Sequence, residues 1–191
     1  MPEHIRDTIA RSIAVKQAIL DDPFFLQKIK TAAELWTQTF HNGGKILFCG
    51  NGGSAADAQH LSAELSGRFY INRPPLFAEA LHVNTSYLTA VANDFGYDIV
   101  YARMVEAAGR SGDLLVAMST SGNSPNIVAA VDQAKAIGMR VVGFTGATGG
   151  HLADKCDLLL NVPATDTPRI QEAHMLIGHI LCEAVERALF G

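Results

Sequence analysis

The stretch Ile46-Leu47-Phe48-Cys49-Gly50-Asn51-Gly52-Gly53-Ser54 leaves the chain few ways to fold. Its apolar start shows no alternation, so it reads as a strand buried on both faces, the pattern of a parallel sheet. The glycine cluster that follows forms a tight turn, and a run of good helix formers begins at Ala55. Strand, glycine turn and helix in that order put the helix N-terminus, with its free N–H groups and positive dipole end, at the carboxyl edge of the sheet. Open α/β sheets bind ligands at that edge. In the same helix His60 and Glu64 stand four residues apart and share a face. One element therefore offers an anion cradle and, beside it, a metal or acid–base pair.

Further apolar runs at 114–118, 140–145 and 158–162 predict strands, and 76–81 predicts a shorter one interrupted by Glu79. Helical periodicity fills 85–92, where Asn93-Asp94-Phe95-Gly96 breaks it, and then 97–108. Another helix runs from Pro125 to Ile137 and is closed by Gly138, a short helix or turn opens at Gly149-Gly150, and a final helix spans 168–190. Strands alternating with helices predict an α/β fold over 45–191, with a doubly wound, mostly parallel sheet flanked by helices. Ahead of it, 3–21 and 23–40 read as two amphipathic helices, more than one sheet face requires. The surplus apolar surface of 1–42 points to contacts between copies of the chain. No linker or low-complexity stretch interrupts the sequence, so 1–191 is expected to form a single domain.

A net charge of −4 with no basic run argues against binding along a nucleic-acid backbone. No apolar stretch is long enough to span a bilayer, and the N-terminus has no apolar signal region, so a soluble cytoplasmic protein is expected. Cys49, Cys156 and Cys182 are odd in number and far apart, which suits free thiols in a reducing compartment.

Ser119-Thr120-Ser121-Gly122-Asn123-Ser124 lies between a strand and a helix that Pro125 starts. Its four hydroxyls and the helix dipole suit a phosphate, since hydroxyls donate hydrogen bonds without adding charge. An N-cap at Ser124 would account for only one of the four. No Gly-Lys-Ser/Thr follows, so this is not a Walker loop, and the turn at Gly50 does not match a dinucleotide fingerprint. The last helix carries Gln171, Glu172, His174 and His179 among apolar neighbours. Gln171 and His179 are about 80° apart around a helix and ~12 Å apart along it. They reach one ion if they lean together or if two chains contribute, and a buried histidine held by one hydrogen bond is the plainer reading of His179.

Several of these segments together resemble the phosphoheptose isomerases of the sugar-isomerase (SIS) domain family. They are Cys49 to Ser54, His60 with Glu64, Gly67-Arg68, Asn72-Arg73-Pro74, Asn93-Asp94-Phe95-Gly96, the serine loop, and Arg169-Ile170-Gln171-Glu172 with His174 and His179. The resemblance covers essentially the whole chain and is weaker between Arg73 and Asp94. It implies conversion of D-sedoheptulose 7-phosphate to D-glycero-D-manno-heptose 7-phosphate through an enediol. That reaction is the first step of nucleotide-activated heptose synthesis, which supplies lipopolysaccharide. It implies one zinc ion per subunit on His60, Glu64, Gln171 and His179, with Glu64 as base and His179 as acid. Ser119, Thr120, Ser121 and Ser124 would hold the phosphate. Asn51, Gly52, Gly53, Ser54, Asn93 and Asp94 would hold hydroxyls, Glu64 and Gln171 would also touch substrate, and Arg68 would lie near the crevice. It further implies a homotetramer with active sites between subunits. The alternative is a non-catalytic binding protein of the same family, a DnaA-associating initiation factor or a sugar-phosphate sensor. In the initiation factor the counterparts of Glu64 and His179 are not Glu and His, so the presence of both here favours the enzyme. A hexulose-phosphate isomerase is a second alternative.

Overall fold

The apolar runs become five strands in the computed structural model, which describes residues 2–191. They are β1 (Ile46–Gly50), β2 (Ala78–Ala80), β3 (Leu114–Met118), β4 (Arg140–Thr145) and β5 (Leu158–Asn161). Their order is β2-β1-β3-β4-β5, and every neighbouring pair is parallel. The sheet is therefore wholly rather than mostly parallel. The chain steps outward from β1 to β2 and then back across to β3, so the winding reverses between β1 and β3. This switch point is the place where such sheets open a crevice at their carboxyl edge.

Seven α-helices surround the sheet: α1 (Pro2–Leu20), α2 (Pro23–His41), α3 (Gly53–Ser66), α4 (Thr85–Phe95), α5 (Val100–Ala108), α6 (Pro125–Ala136) and α7 (Thr167–Phe190). Successive strand residues point to opposite faces. Phe48, Val116 and Phe144 pack into one core with Trp36, Leu61 and Ile177 from α2, α3 and α7. Cys49, Leu115 and Val141 pack into the other with Tyr101, Val105 and Ile127 from α5 and α6. Burial on both sides explains why the strands read as continuous apolar runs.

The two N-terminal helices have different roles. α2 buries Phe25, Ile29, Ala32 and Trp36, and so belongs to the core. α1 exposes Ile5, Ile9 and Ile13, a stripe at four-residue spacing, and buries only Ile19 near its end. Two boundaries differ from the sequence expectation. β2 keeps three residues because Leu76 N–H turns away from the sheet to the Leu65 carbonyl, and Pro74 and Pro75 precede it. α4 continues through Asn93 and Asp94 to Phe95 and stops only at Gly96, whose φ of 92° ends a helix that Asn and Asp merely weaken. All three cysteines are free, with Cys49 and Cys182 buried, and burial raises the Cys182 thiol to about 12. No helix among the described residues is long and apolar enough to cross a membrane.

The fully buried histidine of α7 is His174, whereas His179 is only half-buried. His174 donates from Nε2 to the Thr145 carbonyl at 3.1 Å, and its Nδ1 has no partner. Burial lowers its pKa from 6.5 to about 4, against an opposing pull from Thr145. The folded state thus favours the neutral ring. That stability is present above pH 6.5 and lost as the pH falls through 4, in total roughly 3 kcal/mol. Denaturant unfolding at pH 7, 5 and 4 should show this loss, and His174→Leu should reduce it.

Candidate active site

Two loops meet at the switch point. The glycine turn after β1 leads into α3, and the serine loop after β3 leads into α6. Asn51 and Asn126 join them by paired amide hydrogen bonds of 2.8 and 2.9 Å. The Tyr97 hydroxyl adds a third contact to Asn51 Oδ1 at 3.2 Å, and Tyr101 donates to the Gly50 carbonyl. The side chain of Asn51 therefore braces the crevice, and Asn126, Tyr97 and Tyr101 brace it from the other side.

Both helices begin here without a side-chain cap. Asp22 and Asn84 cap α2 and α4 with their carboxylate and amide oxygens. Neither Gly52 before α3 nor Ser124 before α6 makes such a bond. The Ser124 hydroxyl pairs instead with that of Ser119 at 3.0 Å, while Ser121 Oγ accepts from the Asn123 N–H. The capping reading of Ser124 is thus set aside. Pro125 brings no N–H, and those of Ile127 and Val128 turn to the Ser124 carbonyl, so in the first turn of α6 the Asn126 N–H is the donor left for an anion, and the hydroxyls of Ser119, Thr120, Ser121 and Ser124 lie on that one loop. Gly52 has a φ of 55°, a backbone conformation that costs glycine little.

Two turns into α3 the donor set changes. His60 Nε2 lies 3.0 Å from His179 Nε2 and 3.2 Å from Glu64 Oε1. One ligand atom from each of the three residues falls within 4.8 Å of the others. Two imidazoles and a carboxylate are a donor set that zinc accepts, and a tetrahedral zinc with bonds of about 2.0–2.1 Å spaces its ligand atoms about 3.3 Å apart. The two spacings at His60 are close to this value.

The trio forms because α3 and α7 lie very close. A Cβ on Gly178 would stand 2.5 Å from Leu61 Cδ2, so any larger residue there would push Leu61 or one of the two helices aside. Leu61 and Gly178 sit beside His60 and His179 in sequence, and their close contact brings the imidazoles together. Gln171 lies further back on the same crossing, against Gly53 at the first turn of α3. There it shares an open pocket with Asp57, Lys16 and Glu172. Asp57 sits three residues before His60, and its Oδ2 is buried without a partner. Burial pushes its carboxyl up to about 6, against a lowering effect of His60.

The remaining candidates are spread around the rim. Ser54 is buried in the first turn of α3. Asn93 and Asp94 are exposed and bonded to each other at 2.9 Å. Arg68 is exposed just past α3. Sequence reasoning missed Asn126 and Asp57. Asn126 carried no signal without the sheet order, whereas the position of Asp57 one turn before His60 could have been noticed.

The SIS domain family model matches residues 24–146. The phosphoheptose isomerase of Burkholderia pseudomallei is 50% identical over 188 residues, which are 98% of this chain and 95% of that protein. The phosphoheptose isomerase of Aneurinibacillus thermoaerophilus is 49% identical over 190 residues, covering 100% of this chain and 96% of its own. The solved phosphoheptose isomerase of Neisseria gonorrhoeae superposes with a TM-score of 0.91 at 45% identity, covering 97% of this chain and 98% of the other.

Proposed function

The chain belongs to the phosphoheptose isomerases of the SIS domain family, and we propose that it interconverts D-sedoheptulose 7-phosphate and D-glycero-D-manno-heptose 7-phosphate. The observation that carries this reading is the meeting of Glu64 and His179 around His60, on the same helix whose uncapped N-terminus opens the crevice two turns earlier. An aldose–ketose shift moves a proton between C1 and C2, and it needs a base for carbon, an acid for oxygen and support for the developing oxyanion.

In this reading the Glu64 carboxylate takes the proton from one carbon, leaving an enediol, and returns it to the neighbouring carbon. His179 carries protons to and from the two oxygens, and it protonates the ring oxygen on opening. The phosphate rests on Ser119, Thr120, Ser121, Ser124 and the first turn of α6. Asn51, Gly52, Gly53, Ser54, Asn93 and Asp94 take the hydroxyls, and Arg68 lies near the sugar. His60, Glu64 and His179 would hold a zinc ion, one per subunit; Gln171 of the same chain lies two turns away against Gly53, so a fourth donor of that kind would come from a second copy. When bound, zinc supplies Lewis-acid polarisation of the substrate carbonyl. The exposed stripe Ile5, Ile9 and Ile13 supports association of copies, for which the family suggests a tetramer. A place in the cytoplasm, feeding heptose synthesis for lipopolysaccharide, accords with this reading.

A coupled assay on sedoheptulose 7-phosphate, run beside other ketose phosphates, tests the proposal. Turnover confined to a hexulose phosphate, or binding without turnover, would reject it. In the same assay Ser124→Ala removes a hydroxyl from the phosphate. KM is expected to rise roughly ten- to a hundredfold with little change in kcat, the mark of lost uniform binding.

A further inference from the structure

Glu186, one turn before the end of α7, is 1% exposed, yet its carboxylate receives four donors. The N–H groups of Phe69, Tyr70 and Ile71 reach it at 2.9, 2.7 and 3.0 Å, and Arg73 Nε reaches it at 2.9 Å. Burial alone would raise its pKa. The N–H groups of Phe69, Ile71 and Tyr70, with Arg73, outweigh burial and hold it below the ordinary glutamate range. Arg73 is buried as well, and donates to the carbonyls of Leu65 at 2.8 Å and of Glu64 at 2.9 Å. A single ion pair thus joins the end of α3, the segment after it and α7.

What this pair holds in place bears on the candidate site. The Glu64 carbonyl that accepts from Arg73 belongs to the residue read as the base. The segment anchored on Glu186 is folded so that the Phe69 ring lies against the His179 imidazole, with centroids 5.6 Å apart and planes at 32°. Phe69 also packs against Tyr70, with ring centroids 4.4 Å apart. The ion pair joins the two helices, but joining them does not call for an aromatic ring against the imidazole. His179 is half-buried, and outside the trio its recorded contact of this kind is with Phe69.

We propose that Arg73 and Glu186 are positioning residues that act through Phe69. They seat the aromatic ring that fixes the plane of His179, and they fix the backbone turn from which Glu64 projects. This inference rests on the isomerase reading for its effect on rate, but not for its effect on His179 itself.

The test uses full-length Phe69→Leu, which leaves the buried ion pair intact, with Phe69→Tyr as the conservative control. In the metal-free protein the His179 ring-proton resonances are expected to lose a ring-current shift in Phe69→Leu and keep it in Phe69→Tyr. Zinc affinity, measured by chelator competition, is expected to fall about tenfold in the leucine variant. Turnover of sedoheptulose 7-phosphate should fall in kcat by about ten- to a hundredfold with KM held within a factor of two, and recover in the tyrosine variant. Unchanged resonances and zinc affinity in Phe69→Leu would overturn the proposal, as would a rise in KM at constant kcat. If the wild-type protein turns over no ketose phosphate while the resonances and zinc affinity respond as described, the positioning of His179 stands and the isomerase reading falls.

Discussion

Glu64→Gln is expected to lower kcat on sedoheptulose 7-phosphate by about 10³-fold or more, the largest effect of any single substitution in this chain. A positioned general base contributes typically 10²–10⁴-fold, and an amide of the same size cannot accept the proton. The substitution also replaces an anionic donor beside His60, 3.2 Å away, with a neutral one. Metal loss and base loss therefore have to be separated. Zinc content measured on the purified variant does this, since a variant that retains zinc and has lost turnover assigns the effect to proton transfer. Glu64→Asp gives a second control, because it keeps the carboxylate but draws it back by one methylene. Its rate should fall between those of wild type and Glu64→Gln. Phosphate binding should survive in both variants, because the serine loop is braced by Asn51 and Asn126, away from residue 64. Turnover at the wild-type rate in Glu64→Gln would remove this residue from the chemistry.

How much of this could be read from the sequence depends on whether the signal was local. The glycine turn after Cys49 identified β1, α3 and the crevice, because one short segment contains the strand, the turn and the helix start. His60 and Glu64 were visible as a pair because the helical repeat alone places them on one face. His179 stood out in the last helix, but joining it to that pair needed the family resemblance. Its contact with His60 joins positions 119 residues apart and depends on where α7 crosses α3. The Arg73–Glu186 pair, 113 residues apart, left no pattern at either end. Asn126 follows a proline and looks like any first-turn residue until the order β1-β3 brings it opposite Asn51. The break expected at Asn93 came from propensity, but Asn and Asp only weaken a helix, and the exposed last turn of α4 runs on to the first residue with a positive φ.

Gly178→Ala should show that the crossing of α3 and α7 sets the geometry of the site. In an isolated helix alanine is more favourable than glycine by about 1 kcal/mol, so propensity alone predicts a more stable protein. Here the added methyl would lie 2.5 and 2.6 Å from the two Leu61 methyl carbons, and Leu61 is itself fully buried. Overpacking of this kind costs about 1–3 kcal/mol, so the net change in stability is expected to lie between neutral and roughly 2 kcal/mol destabilising. The functional loss should be larger than that figure suggests. Any outward shift of α7 separates imidazoles now 3.0 Å apart and moves His179 relative to Glu64. A displacement of about 1 Å can cost 10²-fold in rate, so kcat and zinc affinity should both fall while the protein remains folded. Leu61→Ala introduced into Gly178→Ala makes room for the methyl and should recover part of both, with a coupling energy of roughly 1 kcal/mol or more between the two positions. Chelator competition, turnover and denaturant unfolding on the four proteins of this cycle separate the contributions. Wild-type zinc affinity in Gly178→Ala would mean that the trio is held by something other than the closeness of the two helices.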